Sequence, residues 1–569
     1  MVTSEAERIG ATAPLKTRRL LTWLALAFGL AFAALTLDAR FVRGTGPYWE
    51  YQVGDPAKGE IGWFYYARDA WRYPIFDSRN YHDPEGAGVV LSDSLPLFAL
   101  PAKAIYRMGG DNSRLPPIYT GWWVALCLVL QAVAASRLLR ALGVNDILPH
   151  LAGVALFCYL PIVMLRFGQA ALMAQFLILF ALEGYVRAKR EGLRRGQWIA
   201  LCLLPPLTLL VHPYLAAMCG ALVAATILDQ WRDRGLDPRG VLACFGGMLA
   251  AALVIIFVGG FNTAASSDFG DYGLYSLNLL SPWVPFSNTW SGQLLGTETP
   301  VIPGSNQWEG GAYLGVGVFV LCFFALPALK NWRANLRRHA VLFAMLIAVL
   351  AFAISQRVGF GAHELFVVPL PDFVLHAASQ LRGSGRFVWV AVYAFVAALI
   401  VAIFNHYGAR RATMILIVAA LLEIIDVRPM QAGVRTMSAS PMPSTINREE
   451  WTRLISAHQR IFQFPSFECG GLFGRDVPGT KFREMEMDWI AAKQNIPTNS
   501  AYLARFTKDC AREREEIATR AAQRGVLQLY RSTDDVGALL QQRGVDLSRC
   551  GYLDDVVVCS LDMDLSRLR

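Results

Sequence analysis

Along most of the chain the apolar residues run in unbroken blocks, without the polar interruptions of a soluble amphipathic helix, and each block is long enough to cross about 30 Å of hydrocarbon. The blocks lie near 20–37, 117–140, 147–165, 168–186, 197–212, 214–231, 239–260, 312–330, 339–355, 386–405 and 411–426, and they predict about eleven transmembrane helices. A weaker block, 95–108, contains Pro96, Pro101, Lys103 and Arg107 and reads as a re-entrant or interfacial segment. Beyond residue 427 the pattern changes. Val526 to Tyr530 and Val556 to Cys559 read as strands, while 505–521 and 533–543 read as helices. The expected fold is an α-helical polytopic membrane protein with a transmembrane domain over 20–426 and a soluble α/β domain over 427–569.

Charge orients this arrangement. Five basic clusters separate apolar blocks: Arg137 and Arg140; Arg187 to Arg195; Arg232, Arg234 and Arg239; Lys330 to Arg338; and Arg410 and Arg411. Cytoplasmic loops retain Lys and Arg, so these sites face the cytoplasm. The first block follows Lys16, Arg18 and Arg19, exceeds a signal h-region in length and is not closed by a small-x-small cleavage site, so it reads as an uncleaved helix behind a cytoplasmic segment 1–19. The opposite face then receives the segments 39–116 and 261–311, the shorter stretch 356–385 and everything after 427.

Composition adds little beyond this. The chain is 54% hydrophobic and 17% charged, with a net charge of +9 that suits basic loops and anionic lipid headgroups. No nucleic-acid module accompanies that charge, and none is expected as a partner. Six of the ten cysteines fall inside the apolar blocks; Cys469, Cys510, Cys550 and Cys559 lie in the C-terminal domain, where an oxidising compartment favours one or two disulfides with three full pairings open. The P-loop, G-x-G-x-x-G, G-x-S-x-G and C-x-x-C patterns are absent. His363-Glu364 begins a zinc-protease motif, but Val367 stands where its second histidine belongs.

Candidate chemistry concentrates in the first outer segment. In VGDPAKGEIGWFYYARDAWRYP, Asp55 precedes a helix-prone aromatic run expected to lie at the membrane interface; Asp55 with Pro56 also suits a simple helix N-cap. SDSLP supplies Asp93, and Glu60 is a third acid. A first span, an acidic residue beyond it, an aromatic helix and a proline-bearing amphipathic segment together resemble the opening of the GT-C glycosyltransferases, among them the protein O-mannosyltransferases and the lipid A aminoarabinose transferases. The stretch from Arg137 to Arg190 is similar to two superfamily helices joined by an Arg-containing loop. YGLYSLNLLSPW (272–283), NQWEGGAYLG (306–315) and QLRGSGRFVW (380–389) resemble uncharacterised bacterial membrane proteins near that superfamily.

The resemblance implies an inverting transfer of a sugar from a polyprenyl-phosphate donor to a glycan, lipid or protein acceptor, at the periplasmic face of a bacterial inner membrane. Such a reaction needs a carboxylate to take the acceptor proton and cations to hold the departing phosphate. The resemblance places the base at Asp55, with Asp93 second and Glu60 third, although Gly54-Asp55-Pro56 departs from the superfamily's acidic doublet. Lys103, Arg107, Arg166, Arg382 and Arg386 are outer-face cations, each a phosphate ligand or a side chain snorkelling to lipid. His212 and Tyr214 in VHPY are candidates for the same cavity, and Tyr275, Asn278 and Glu309 for sugar contact. A divalent cation assisting the base would need Asp55, Glu60 and Asp93 to meet, which requires the outer segment to fold back. A flippase or transporter of a lipid-linked glycan and a non-catalytic envelope scaffold are the alternative readings.

Overall fold

The computed structural model describes residues 14–110, 114–233, 235–261, 272–474, 480–505, 508–519, 521–532 and 536–568. Residues 1–13 of the N-terminal segment, 262–271 of the second outer segment and parts of the predicted helices 505–521 and 533–543 lie outside these. Principal helices, in chain order, are α1 (Leu15–Thr36), α2 (Gly54–Arg68), α3 (Pro96–Met108), α4 (Thr120–Leu142), α5 (Ile147–Cys158), α6 (Phe176–Glu191), α7 (Arg195–Leu209), α8 (Pro213–Arg232), α9 (Pro238–Gly259), α10 (Val316–Ala325), α11 (Ala340–Ile354), α12 (Val388–Ala439), α13 (Arg448–Ser456), α14 (Thr480–Gln494), α15 (Cys510–Thr519) and α16 (Val536–Gln542). The strands are β1 (Arg357–Phe360), β2 (His363–Val367), β3 (Arg460–Phe464), β4 (Val526–Arg531), β5 (Gly551–Leu553) and β6 (Val556–Cys559).

The chain divides into two units, one of residues 1–43, 120–253 and 270–439, the other of 44–119, 254–269 and 440–569. Among the described residues, six helical segments are long and apolar enough to cross a membrane: Leu15–Thr36, Thr120–Leu142, Ala170–Glu191, Pro213–Arg232, Pro238–Gly259 and Ser384–Ala439. The protein is a multi-pass membrane protein.

Several predicted spans are shorter than the apolar blocks. In 147–165 the helix stops at Cys158, because Pro161 lacks the N–H that would continue it, and a four-residue helix (Pro161–Met164) follows after a bend. Arg195–Leu209 has 15 residues, about 22 Å of helix, with Pro205 and Pro206 inside it. The blocks 386–405 and 411–426 form the two arms of α12, which breaks at Gly408 (φ 73°) and continues to Ala439, past the expected boundary at 427.

Within the helical unit α1 packs on α4, α4 on α5 and α6, and α10 on α12. A Cβ on Gly29 would lie 2.9 Å from Val129 Cα, so glycine is what lets α1 approach α4 so closely. Buried polar groups tie helices together: the Tyr393 hydroxyl donates to Gln175 Oε1 at 2.7 Å and accepts from Gln131 Nε2 at 3.0 Å.

In the second unit β3, β4, β6 and β5 form one sheet in that order; β3 and β4 are parallel and the remaining pairs antiparallel. Two disulfides, Cys469–Cys510 and Cys550–Cys559, select one of the three full pairings. The aromatic run of α2 is core here rather than an interfacial belt. Trp63, Phe64, Tyr65 and Tyr66 are at most 1% exposed, Phe64 packs edge-on to Trp489 of α14, and the Tyr65 hydroxyl donates to Ile496 O at 2.6 Å. A protein partner for these rings removes more apolar surface from water than a headgroup layer would.

Candidate functional site

The acidic cluster is built on the first turn of α2. Val53 is the N-cap residue, not Asp55; Gly54 follows with φ 67°, a left-handed conformation that favours glycine, and Asp55 sits in the first turn, where the helix dipole favours a carboxylate. One turn on, Lys58 is 4% exposed, with its ammonium 3.4 Å from Asp55 and 2.5 Å from Asp93.

Asp93 comes from a loop that lies along the same face of α2. Gly59 and Gly62 make room for it: a Cβ on Gly62 would lie 2.0 Å from Ser92 Oγ. Ser94 Oγ donates to Gly59 O at 2.7 Å and pairs with Ser92 Oγ at 2.7 Å. Asp93 has φ 57°, tolerated better by Asp than by most residues and held by this packing. Burial alone would lower the Lys58 pKa; Asp93, Asp55 and Tyr502 override it and hold the ammonium above the ordinary lysine range. The carboxylates stay about 30% exposed while the lysine between them is buried.

Glu60 does not join this cluster. It is buried, and its charge acts on Tyr48 and Tyr119. Among the described residues Asp55, Glu60 and Asp93 form no three-ligand group; the one such group, Cys469, Cys510 and Glu513, has both sulfurs in a disulfide. The donor set for a divalent cation is therefore not assembled, and two of its three carboxylates already share an ammonium.

Lys103 and Arg107, both on α3, have partners within the same unit. The Lys103 ammonium lies 3.9 Å from the Tyr66 ring centre and 4.7 Å from that of Trp71, and donates to Ala70 O at 3.2 Å. Arg107 donates to Arg68 O at 3.1 Å. Both hold α3 to the C-terminal end of α2.

The cationic cluster belongs to the helical unit and forms where three glycine-bearing segments meet. A Cβ on Gly310 would lie 2.4 Å from Ser276 O, and one on Gly385 2.6 Å from Gly310 Cα. Gly385 N also donates to Tyr275 O at 3.0 Å. These contacts bring Glu309 and Arg386, each next to one of the glycines, together. The Glu309 carboxylate pairs with Arg386, and Arg166 is 3.9 Å from it. Arg166 comes from the turn after Pro161–Met164, donates to Glu309 O and to Gln169 Oε1 at 3.0 Å, and lies over Trp389 at 5.3 Å.

Aromatic rings enclose the cluster. Arg386 lies 5.1 Å from the Tyr214 ring centre, Arg382 lies 5.6 Å from that of Tyr275, and Gly383 N donates to the Tyr214 hydroxyl at 2.8 Å. His212 caps α8 through Nδ1, which accepts from Tyr214 N at 3.2 Å. Asn278 donates to Gln307 Oε1 and Gly361 O, both at 2.9 Å, and accepts from Leu280 N and Gly361 N, so its amide organises the loop. Sequence reasoning missed Lys58; its i, i+3 spacing from Asp55 was the available signal.

The long apolar helices of the first unit define a multi-pass membrane protein, and its second unit carries a disulfide-bonded sheet. The chain belongs to the family described as "Domain of unknown function (DUF6311)", matched over residues 26–428, and residues 450–561 match its C-terminal domain. No curated protein matches. Among solved structures it is similar to the Archaeoglobus fulgidus oligosaccharyltransferase tethered to an acceptor peptide containing the NVT sequon, with 12% identity over 85% of this chain and 64% of that one, at a TM-score of 0.40. It is also similar to the oligosaccharyltransferase AglB of that organism in complex with an inhibitory peptide and a dolichol-phosphate, with 13% identity over 84% and 64%, at a TM-score of 0.41. The chain thus spans about 64% of the length of these proteins. The functional reading below rests on its own residues.

Proposed function

We propose that this protein is an inverting glycosyltransferase of GT-C type, with about eleven crossings and the sheet-bearing C-terminal region in the periplasm of a bacterial inner membrane. It moves a sugar from a polyprenyl-phosphate donor to an envelope glycan, lipid or protein acceptor. The observation that carries this reading is the convergence of Asp55 and Asp93 on one buried lysine, with both carboxylates left partly exposed.

In the reaction the acceptor hydroxyl attacks the anomeric carbon opposite the leaving group, and a new C–O bond forms as the bond to the phosphate oxygen breaks. Asp55 takes the hydroxyl proton, Lys58 and Asp93 fix the carboxylate, and the polyprenyl phosphate leaves with the electron pair. Phosphate needs no general acid, because its second pKa is about 6. Within the helical unit, Arg166, Arg386 and Arg382 are the phosphate-ligand candidates by charge and fork geometry. No step is routed through a metal.

The flippase reading needs charges inside the helical unit, and Glu423 and Asp426 are buried there. One oxygen of each carboxylate caps the start of α10, that of Asp426 through Val316 N at 3.3 Å. Glu423 accepts from Gly317 N at 2.8 Å and Asp426 from Ser291 N at 2.9 Å and the Tyr313 hydroxyl at 3.0 Å. The test is transfer of labelled sugar from a panel of polyprenyl-phosphate donors in membranes containing wild type, Asp55→Asn or Asp93→Asn at matched expression. Loss in Asp55→Asn supports the assignment. A wild type that transfers nothing, in cells whose deletion strain accumulates glycan on the cytoplasmic leaflet, replaces the transferase with the flippase.

A further inference from the structure

The sheet-bearing unit holds a cleft of about 340 Å³, within the size range of small-ligand sites (~300–1,000 Å³). Its floor is one face of the parallel pair: β3 and β4 are in register with Arg460 opposite Val526 and Phe462 opposite Gln528, and residues two apart on a strand share a face. Helix α15 supplies one wall through Glu513, Glu516 and Ile517.

Among the described residues this floor carries buried donors without partners. Gln528 is fully buried; its Oε1 accepts from the Tyr530 hydroxyl at 2.6 Å, and the other end of its amide is unpaired. Arg543, 6% exposed, spends one nitrogen on Ile517 O and lies over Phe462, but its Nε is unpaired; Arg460, half-buried and paired with Asp83 through its terminal nitrogen, likewise leaves its Nε unpaired. A buried donor left unmet is unfavourable, so these groups suit a ligand that brings acceptors.

The rest of the lining limits what that ligand is. Four cations and five carboxylates surround the cleft, so a phosphate or a nucleic acid meets more negative than positive charge. A hydroxyl, in contrast, accepts from N–H groups and donates to carboxylates at once. We propose that the cleft is a saccharide-binding site. Gln528, Arg543 and Arg460 receive the ring hydroxyls from the floor, and at the rim Glu516 of α15, paired with Arg512, accepts from others, while Glu513 already accepts from Ser466 N and Oγ and shapes the wall. This deepens the transferase reading by naming the acceptor as a glycan, and rests on that reading only for the bound glycan's fate.

The test titrates the full chain in lipid nanodiscs with gluco-, manno-, galacto- and arabino-hexaoses, with inorganic phosphate and a Ser/Thr-rich peptide as comparators. Binding is read by saturation-transfer NMR and calorimetry. At least one hexaose should bind, protect the β4 and α15 amides of the wild type from hydrogen exchange, and bind at least tenfold more weakly to Gln528→Leu or Arg543→Met. If no hexaose binds at 10 mM, if only phosphate or the peptide binds, or if protection falls elsewhere on the wild type, the proposal is overturned. Variants that keep the wild-type melting midpoint and bind equally well overturn it too. Asp55→Asn should still bind the hexaose. Binding by a chain that transfers nothing would sink the transferase and leave this site standing.

Discussion

The two charged clusters are inverse in sign and differ in what they bury. In the acidic one the centre is a cation, Lys58, and the flanking carboxylates remain about 30% exposed. In the cationic one the centre is a carboxylate, Glu309, and all three side chains are within about a tenth of full burial. The first arrangement leaves its carboxylates partly reachable from solvent. The second commits two guanidiniums to an internal anion, which a phosphate bound as proposed would have to replace.

The largest expected effect separates the two acids. Asp55→Asn should lower single-turnover sugar transfer about 10³-fold, in the range of general-base removal, and Asp93→Asn about 10- to 100-fold as a loss of positioning. An equal or larger loss in Asp93→Asn would exchange their roles. On the cationic side, Arg386→Lys should raise the donor KM about tenfold with little change in kcat, since lysine keeps the charge and loses the fork. A drop confined to kcat would instead assign Arg386 to the chemistry.

Stability should distinguish the clusters next. Glu309→Gln leaves two nearly buried guanidiniums facing a neutral amide and should cost about 3 kcal/mol in unfolding, yet lower the donor KM by freeing them. Lys58→Met should cost less, about 1–2 kcal/mol, because solvent screens the exposed carboxylates. If the two costs were reversed, the burial contrast would have no energetic weight.

The smallest effect tests an acid outside both clusters. Burial raises the Glu484 pKa to about 8 despite hydrogen bonds from Leu472 N and Ser500. A carboxyl raised above its unfolded value contributes stability that is fully present below about pH 4.5 and is lost as pH rises through about 8. Thermal melts should therefore fall over that window, and Glu484→Gln should raise the midpoint by a few degrees at pH 9 while leaving it unchanged at pH 4. Lys58, held above the ordinary lysine range, adds no pH dependence there.

What was legible in the sequence follows from locality. Apolar block length marks the helices α1, α4, α8 and α9 because hydrocarbon thickness fixes that length, and the strand runs 526–531 and 556–559 show β-branched and aromatic enrichment. Asp55, Asp93, Arg166, Glu309 and Arg386 could each be singled out by type and place. Their grouping could not be read, because Lys58 meets Asp93 across 35 positions, Arg386 meets Glu309 across 77 and Arg166 meets Glu309 across 143. The proline break at Pro161 likewise acted within a block whose composition looked uniform, whereas the break at Gly408 falls between the blocks 386–405 and 411–426.

The sequence by itself determined a membrane-spanning chain with a distinct C-terminal segment, because transfer of apolar residues into lipid depends on composition over a window and hardly on partners. Only the tertiary structure decided that the aromatic face of α2 is protein core, that Cys469 pairs with Cys510, and which acids and cations stand together. Those outcomes depend on contacts between distant segments, and at the charged clusters on glycine clearances of a few ångströms, that no local pattern encodes.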